Sequence, residues 1–218
     1  MPCNWGGKRR VGTEPGTEQP LTEQDHQETS KPAMSHFEFI SALFAIVLAL
    51  GITEVLVCWA RLIQHRREVR FSWIHGFWTV FVVILMMQFW WGFWNFREVE
   101  NWTFLGLAGI VFETMMVVIA ALLLTPGRTF EAGLNLEAMY FDNSRPFFLS
   151  GALMVVSLSV VDITVLGLAV FSVENLVRLL ALLLLTTMAF VRNRKLHYSA
   201  AVLFALLLLT FMLTAEFR

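Results

Sequence analysis

The sequence predicts an all-α fold, an integral membrane bundle of six transmembrane helices with both termini non-cytoplasmic. Three observations predict it. Apolar runs of the ~20 residues that a helix needs to cross a ~30 Å hydrocarbon core occur six times. Charged residues fill only 15% of the 218 positions and hydrophobic residues 57%, where soluble domains carry roughly 25% charged residues. Lysine and arginine gather in alternate loops, the bias that orients membrane proteins. Because backbone groups in lipid must be paired within the protein, runs this long and this apolar must be helical.

Residues 1–33 differ from all that follows. Pro2, Pro15, Pro20 and Pro32 stand among Glu, Gln and Thr with few large apolar side chains, a composition that reads as a disordered tail. The segment has no apolar stretch of the signal-peptide kind. Met34 follows it directly, Ser35 is placed to cap a helix beginning near Phe37, and Glu38 falls at that helix's positive end. The expectation is that Met34 is the natural start and that 34–218 is the transmembrane domain.

The spans then follow in order. Span one covers about 37–60 and holds a lone acid, Glu54. Span two, about 73–96, opens at Trp73 and His75 and closes on the aromatic run from Gln88 to Trp94. Amphipathic rings prefer headgroup depth, so Trp90, Trp91, Trp94 and Trp102 read as an interfacial belt. Span three, about 103–125, carries Glu113 near its middle. The loop Pro126 to Pro146 is the longest, and Leu134, Leu136, Met139, Tyr140 and Phe141 suggest a short amphipathic turn on the inner surface. Span four, about 147–171, passes through a very short turn into span five, about 173–191, which Ser172 and Glu174 start as hydroxyl cap and first-turn acid. Span six, about 197–215, follows the basic run Arg192 to Lys195.

Orientation comes from the loops. Arg61, Arg66, Arg67, Arg70, Arg128, Arg145, Arg192, Arg194 and Lys195 fall on one side; Arg97, Arg178 and Arg218 fall on the other. The first set therefore faces the cytoplasm. Lys8, Arg9, Arg10 and Lys31 would blunt the bias if the tail were present, which is a second reason to expect the start at Met34.

Few polar residues lie inside the spans, and these are the candidate sites. Asp162 lies eight residues before Val170 and Arg178 eight after it. An antiparallel hairpin turning there brings both to one depth, ~12 Å from the turn, as a structural ion pair. Glu174, one turn before Arg178, could share it. Glu54 and Glu113 have no obvious counter-charge. Counted at ~1.5 Å per residue, Glu113 lies ~15 Å below the outer boundary and Glu54 ~10 Å above the inner one. His75 falls close in depth to Glu54, and Gln88 is within reach of Glu113. Glu113, Glu54, His75 and Gln88 thus form a candidate proton or ion path. The same residues serve equally as neutral, hydrogen-bonded contacts that hold helices together, and the sequence leaves both readings open.

Other chemistry finds little support. Ser150-Gly151 is similar to part of a rhomboid-type nucleophile motif, without its wider glycine pattern or a mid-span histidine base. Glu174 to Arg178 resembles the acid-and-arginine element of prenyl-endopeptidase-type intramembrane proteases, but Val173 stands where the first acid belongs and the histidines are missing. No catalytic, cofactor or metal set is read: the histidines start spans rather than facing one another at mid-depth, and Cys3 and Cys58 lie in the tail and in span one. A net charge of -1, with no basic stretch interleaved with aromatics outside the spans, excludes nucleic acid as a partner. The expected partners are the lipid bilayer and either a second copy or another membrane protein.

Phe37-Glu38-Phe39-Ile40-Ser41, then Leu50 to Glu54, then Gln88-Phe89-Trp90-Trp91 resemble a family of small bacterial polytopic inner-membrane proteins with no assigned activity. The likeness covers mainly the first three spans. It implies a bacterial inner-membrane protein and carries no substrate or cofactor. The function expected is a small transporter or channel for protons, ions or a small solute; the alternative is a noncatalytic membrane subunit that acts by assembly.

Overall fold

A computed structural model describes residues 36–99, 101–127 and 133–214. The tail, the start at Met34, the Ser35 cap, Arg128 and Arg218 lie outside the described residues. Among the described residues the fold is helical throughout: α1 (His36–Gln64), α2 (Trp73–Gly92) continued by a 3₁₀ segment (Phe93–Glu98), α3 (Phe104–Leu124), α4 (Leu136–Thr164), α5 (Val173–Phe190) and α6 (Arg194–Thr214). The first five, α2 taken with its 3₁₀ extension, are long and apolar enough to cross a membrane. The chain is therefore a polytopic membrane protein. The sixth expected span forms as the 21-residue helix α6 but does not belong to that set of five.

Capping chemistry explains the helix starts. Thr103 Oγ1 accepts from Gly106 N–H at 3.1 Å to open α3. Ser172 Oγ accepts from Asn175 N–H at 3.2 Å to open α5. Each satisfies a backbone donor that the helix itself leaves orphaned.

Two expected boundaries are corrected by the same logic. Asn135 Oδ1 accepts from Glu137 and Ala138 N–H at 3.0 and 3.3 Å, so α4 begins at Leu136 rather than near 147 and runs through Pro146. The expected amphipathic turn is the first part of this helix, with Leu136 and Tyr140 in the core instead of lying on a membrane surface. A 29-residue helix is ~43 Å long, more than the bilayer core requires. The excess, bearing Glu137, Asp142 and Arg145, projects on the arginine-rich side. At its other end α4 stops at Thr164, where the sequence suggested 171. The link to α5 is Val165–Ser172, made possible by Gly167 at φ +69°, a left-handed conformation that side chains disfavour.

The third helix is the centre of the bundle, packing most extensively on α4 and also on α1 and α2. Small residues let α3 and α4 approach: a Cβ on Gly109 would lie 2.5 Å from Val161 Cγ2, and one on Gly106 2.9 Å from Val165 Cγ2. Ser157 Oγ donates to Gly109 O across this seam at 3.1 Å. By contrast α5 leaves Leu176, Leu179, Leu180 and Leu183 exposed, as a peripheral span in lipid does.

The basic loops converge at one end. Arg70 N–H donates to Leu134 O at 2.8 Å and Leu136 N–H to Arg70 O at 3.2 Å, joining the α1–α2 loop to the start of α4. Arg192 pairs with Asp142 at 2.6 Å and Arg194 with Glu137 at 3.1 Å. Exposed pairs add little stability. Their importance is geometric, since they hold the α5–α6 loop against the same end of α4.

Candidate functional site

The polar cluster nearest the bundle centre is built by α3, α4 and α5. Arg178 Nη2 donates to Asp162 Oδ2, forming the ion pair expected across the α4–α5 hairpin. Arg178 Nη1 also donates to Asn175 Oδ1 at 3.1 Å. Asn175 is fixed in turn, because its Nδ2 donates to Ala169 O at 3.1 Å. Both charged side chains are mostly shielded, Arg178 at 20% and Asp162 at 12% exposure. Glu174, which could share Arg178, is exposed and lies within charge range of it, while the direct ion pair is made by Asp162.

Glu113 belongs to this cluster. It is 3% exposed on α3 and lies within charge range of both Asp162 and Arg178. Its Oε2 is buried and has no hydrogen-bond partner among the described residues. Asp162 is near the end of α4 and Arg178 near the start of α5, whereas Glu113 is ~14 Å inside α3. The order inward from the arginine-poor side is therefore ion pair, then Glu113. Beyond it the core-facing residues of α3 are Thr114, Val117, Ala120, Ala121 and Leu124, and only Thr114 is polar.

The other expected path residues are not joined to it. Glu54 faces outward from α1 and makes no hydrogen bond or ion pair among the described residues. His75 is 1% exposed, and its Nε2–H donates to Leu124 O at 2.7 Å. That carbonyl ends α3 and has no helical partner of its own, so His75 caps a helix instead of meeting Glu54. The same contact sets the register of α2 against α3 and brings Gln88 within ~3 Å of Glu113 in depth. Gln88 Nε2 nevertheless makes no hydrogen bond among the described residues, so the two side chains do not pair.

One further polar group joins α4 to α6. His197 Nε2–H donates at 3.0 Å to the carbonyl of Val191, the residue just past α5, which also accepts from Asn193 N–H. That leaves Nδ1 as the acceptor for the Tyr140 hydroxyl at 2.7 Å. Trp78 lies beside this hydroxyl without closing a hydrogen bond to it. The sequence signal was available in the Asn135-x-Glu137 start of α4, which turns Tyr140 into a helical residue one turn in. Among the described residues, no group of three or more His, Cys, Asp or Glu converges as a metal site would.

Comparison of the chain with protein-family models, curated proteins and solved structures finds no match.

Proposed function

We propose that this polytopic membrane protein is a small proton- or cation-coupled carrier whose binding group is Glu113. The observation that carries the reading is the Oε2 of Glu113, buried without a partner beside a buried ion pair. Intramembrane ionisable groups are costly to hold and are most often found on ion or proton routes. Here the ion pair supplies a polar approach from the arginine-poor side, and Glu113 is the deepest acid of that approach. A carboxyl with one free oxygen can take up a proton or a small cation without first breaking an existing bond.

The test is pH-driven flux in liposomes containing the purified full chain. Wild-type protein is expected to carry flux, and Glu113→Gln to abolish it while keeping its fold, since the amide retains shape and removes the titratable proton. Inert wild-type liposomes, or unchanged flux in the variant, would overturn the proposal. A second reading, a noncatalytic membrane subunit that acts by assembly, is favoured by the outward-facing Glu54.

The proposed location is a bacterial inner membrane, in line with the family resemblance, with the arginine-rich end in the cytoplasm and both termini outside. The convergence of the described basic loops at one end of the bundle supports it. Reporter fusions at Arg67 and Arg194 should both report the cytoplasm; signals from opposite faces would refute this topology.

A further inference from the structure

Glu54 presents a problem that the single chain does not solve. It lies four residues past the middle of α1, well inside the hydrocarbon, yet its side chain faces outward with no partner among the described residues. A charged carboxylate there costs ~2.5–3.5 kcal/mol on insertion scales, and even a neutral carboxyl leaves a donor and an acceptor unpaired in lipid. Both neighbours on the sequence are accounted for: Thr53 Oγ1 donates to Ala49 O at 2.7 Å, and Val55 is in the core.

The surrounding face has the geometry of a helix-pairing seam. Leu50, Glu54, Val57 and Arg61 follow one another at spacings of four, three and four, the period that two helices use when they wrap around each other, whereas Leu43 and Val47 before them line a crevice against Ile110, Val111 and Thr114 of α3. None of the four is buried; Leu50 is 62% exposed and Val57 36%. A single polar residue in such a seam fixes register and partner number in paired helices. Arg61 ends the seam in the last turn of α1, at headgroup depth, where two copies of its guanidinium can spread into water.

We propose that two copies of this chain associate side by side through this α1 face, with their Glu54 carboxyl groups hydrogen-bonded to each other. Chemistry and geometry both favour a second copy over a different partner. A neutral carboxyl is self-complementary, each O–H donating to the other's C=O, so the pair leaves no donor unmet. Two copies inserted with the same topology meet about an axis along the membrane normal, which brings the two Glu54 residues to one depth by symmetry. A different protein would have to supply its own donor at that depth.

The inference is independent of ion coupling at Glu113, and the experiment separates the two. Singly labelled full-length chain is reconstituted at falling protein-to-lipid ratio, and photobleaching steps are counted for each particle. Two-step particles are expected, dissociating on dilution. Glu54→Leu should weaken association about tenfold, the value of two intramembrane hydrogen bonds. Glu54→Gln, whose amide both donates and accepts, should retain most of it. Neither change should alter the unfolding midpoint of the single chain, because Glu54 has no partner among the described residues. Single-step particles at every dilution, assemblies larger than two, or two-step particles indifferent to Glu54→Leu would each overturn the proposal, whatever the flux assay at Glu113 reports.

Discussion

Replacing Arg178 by leucine should destabilise the bundle by ~3–5 kcal/mol, the usual result of stranding one member of a buried ion pair. The loss is larger than the value of the pair itself, because Asp162 then remains at 12% exposure without its cation. Glu113 loses the same compensation, since it lies within charge range of Arg178. Two further variants distinguish this cause from lost packing. Removing both partners, as Arg178→Leu with Asp162→Leu, should restore all but ~1–2 kcal/mol, since a well-packed apolar pair commonly replaces a buried ionic one. Arg178→Leu should also cost less in a Glu113→Gln background, where one carboxyl fewer depends on the guanidinium. Denaturant titration in micelles, followed by tryptophan fluorescence, measures all of these. A single variant losing less than ~1 kcal/mol would show that the pair is solvated and that the cluster is not a low-dielectric site.

How much of this was legible in the sequence depends on the quantity asked for. Depth was legible, because it requires only counting at ~1.5 Å per residue. The Asp162–Arg178 pair forms although α4 stops at Thr164 and the link to α5 is longer than expected, since moving the turn away from Val170 leaves both residues near the same end of the bundle. Facing was not legible. In a soluble helix the apolar stripe identifies the buried side, but lipid tails are as apolar as a protein core, so in a membrane helix both sides look alike. Glu54 and Glu113 have similar apolar neighbours, and the fold turns one outward and the other inward. Partners were legible only where a local signal existed. Ser172 marks the start of α5 correctly, whereas Asn135 stands in a stretch whose hydropathy reads as a loop, which leaves Tyr140 on a membrane surface until its cap is seen. Counting sets His75 beside Glu54 in depth, and nothing local gives His197 a partner. Their actual partners, Leu124 O at the end of α3 and Val191 O just past α5, depend on helix ends that only the fold sets side by side.

Trp78→Ala should cost ~3–5 kcal/mol, at the upper end for a single core truncation. Trp78 is 1% exposed and meets five rings edge-on: Phe77 and Phe81 at 5.3 Å between centroids, Phe148 at 5.1 Å, Phe147 at 5.5 Å and Phe204 at 5.6 Å. In a bilayer the loss cannot be ascribed to transfer from water, because separated helices would exchange protein contacts for lipid contacts. What disappears is dispersion and edge-to-face attraction, together with the cost of a cavity too rigidly walled to collapse. The rings come from α2, α4 and α6, so the damage should not be uniform. The sixth helix packs mainly on α2 and only slightly on α5, and Phe204 is its ring contact with Trp78. Hydrogen exchange is therefore expected to accelerate along α6 before α3 or α4 responds. Trp78→Phe, which keeps a ring in the cluster, should lose ~1–2 kcal/mol and leave α6 protected. The Tyr140–His197 bond also joins α4 to α6, but a single hydrogen bond contributes only ~1 kcal/mol and cannot hold the helix alone. Uniform acceleration through the bundle after Trp78→Ala would mean that α6 folds as one unit with the rest and is not docked on the aromatic cluster.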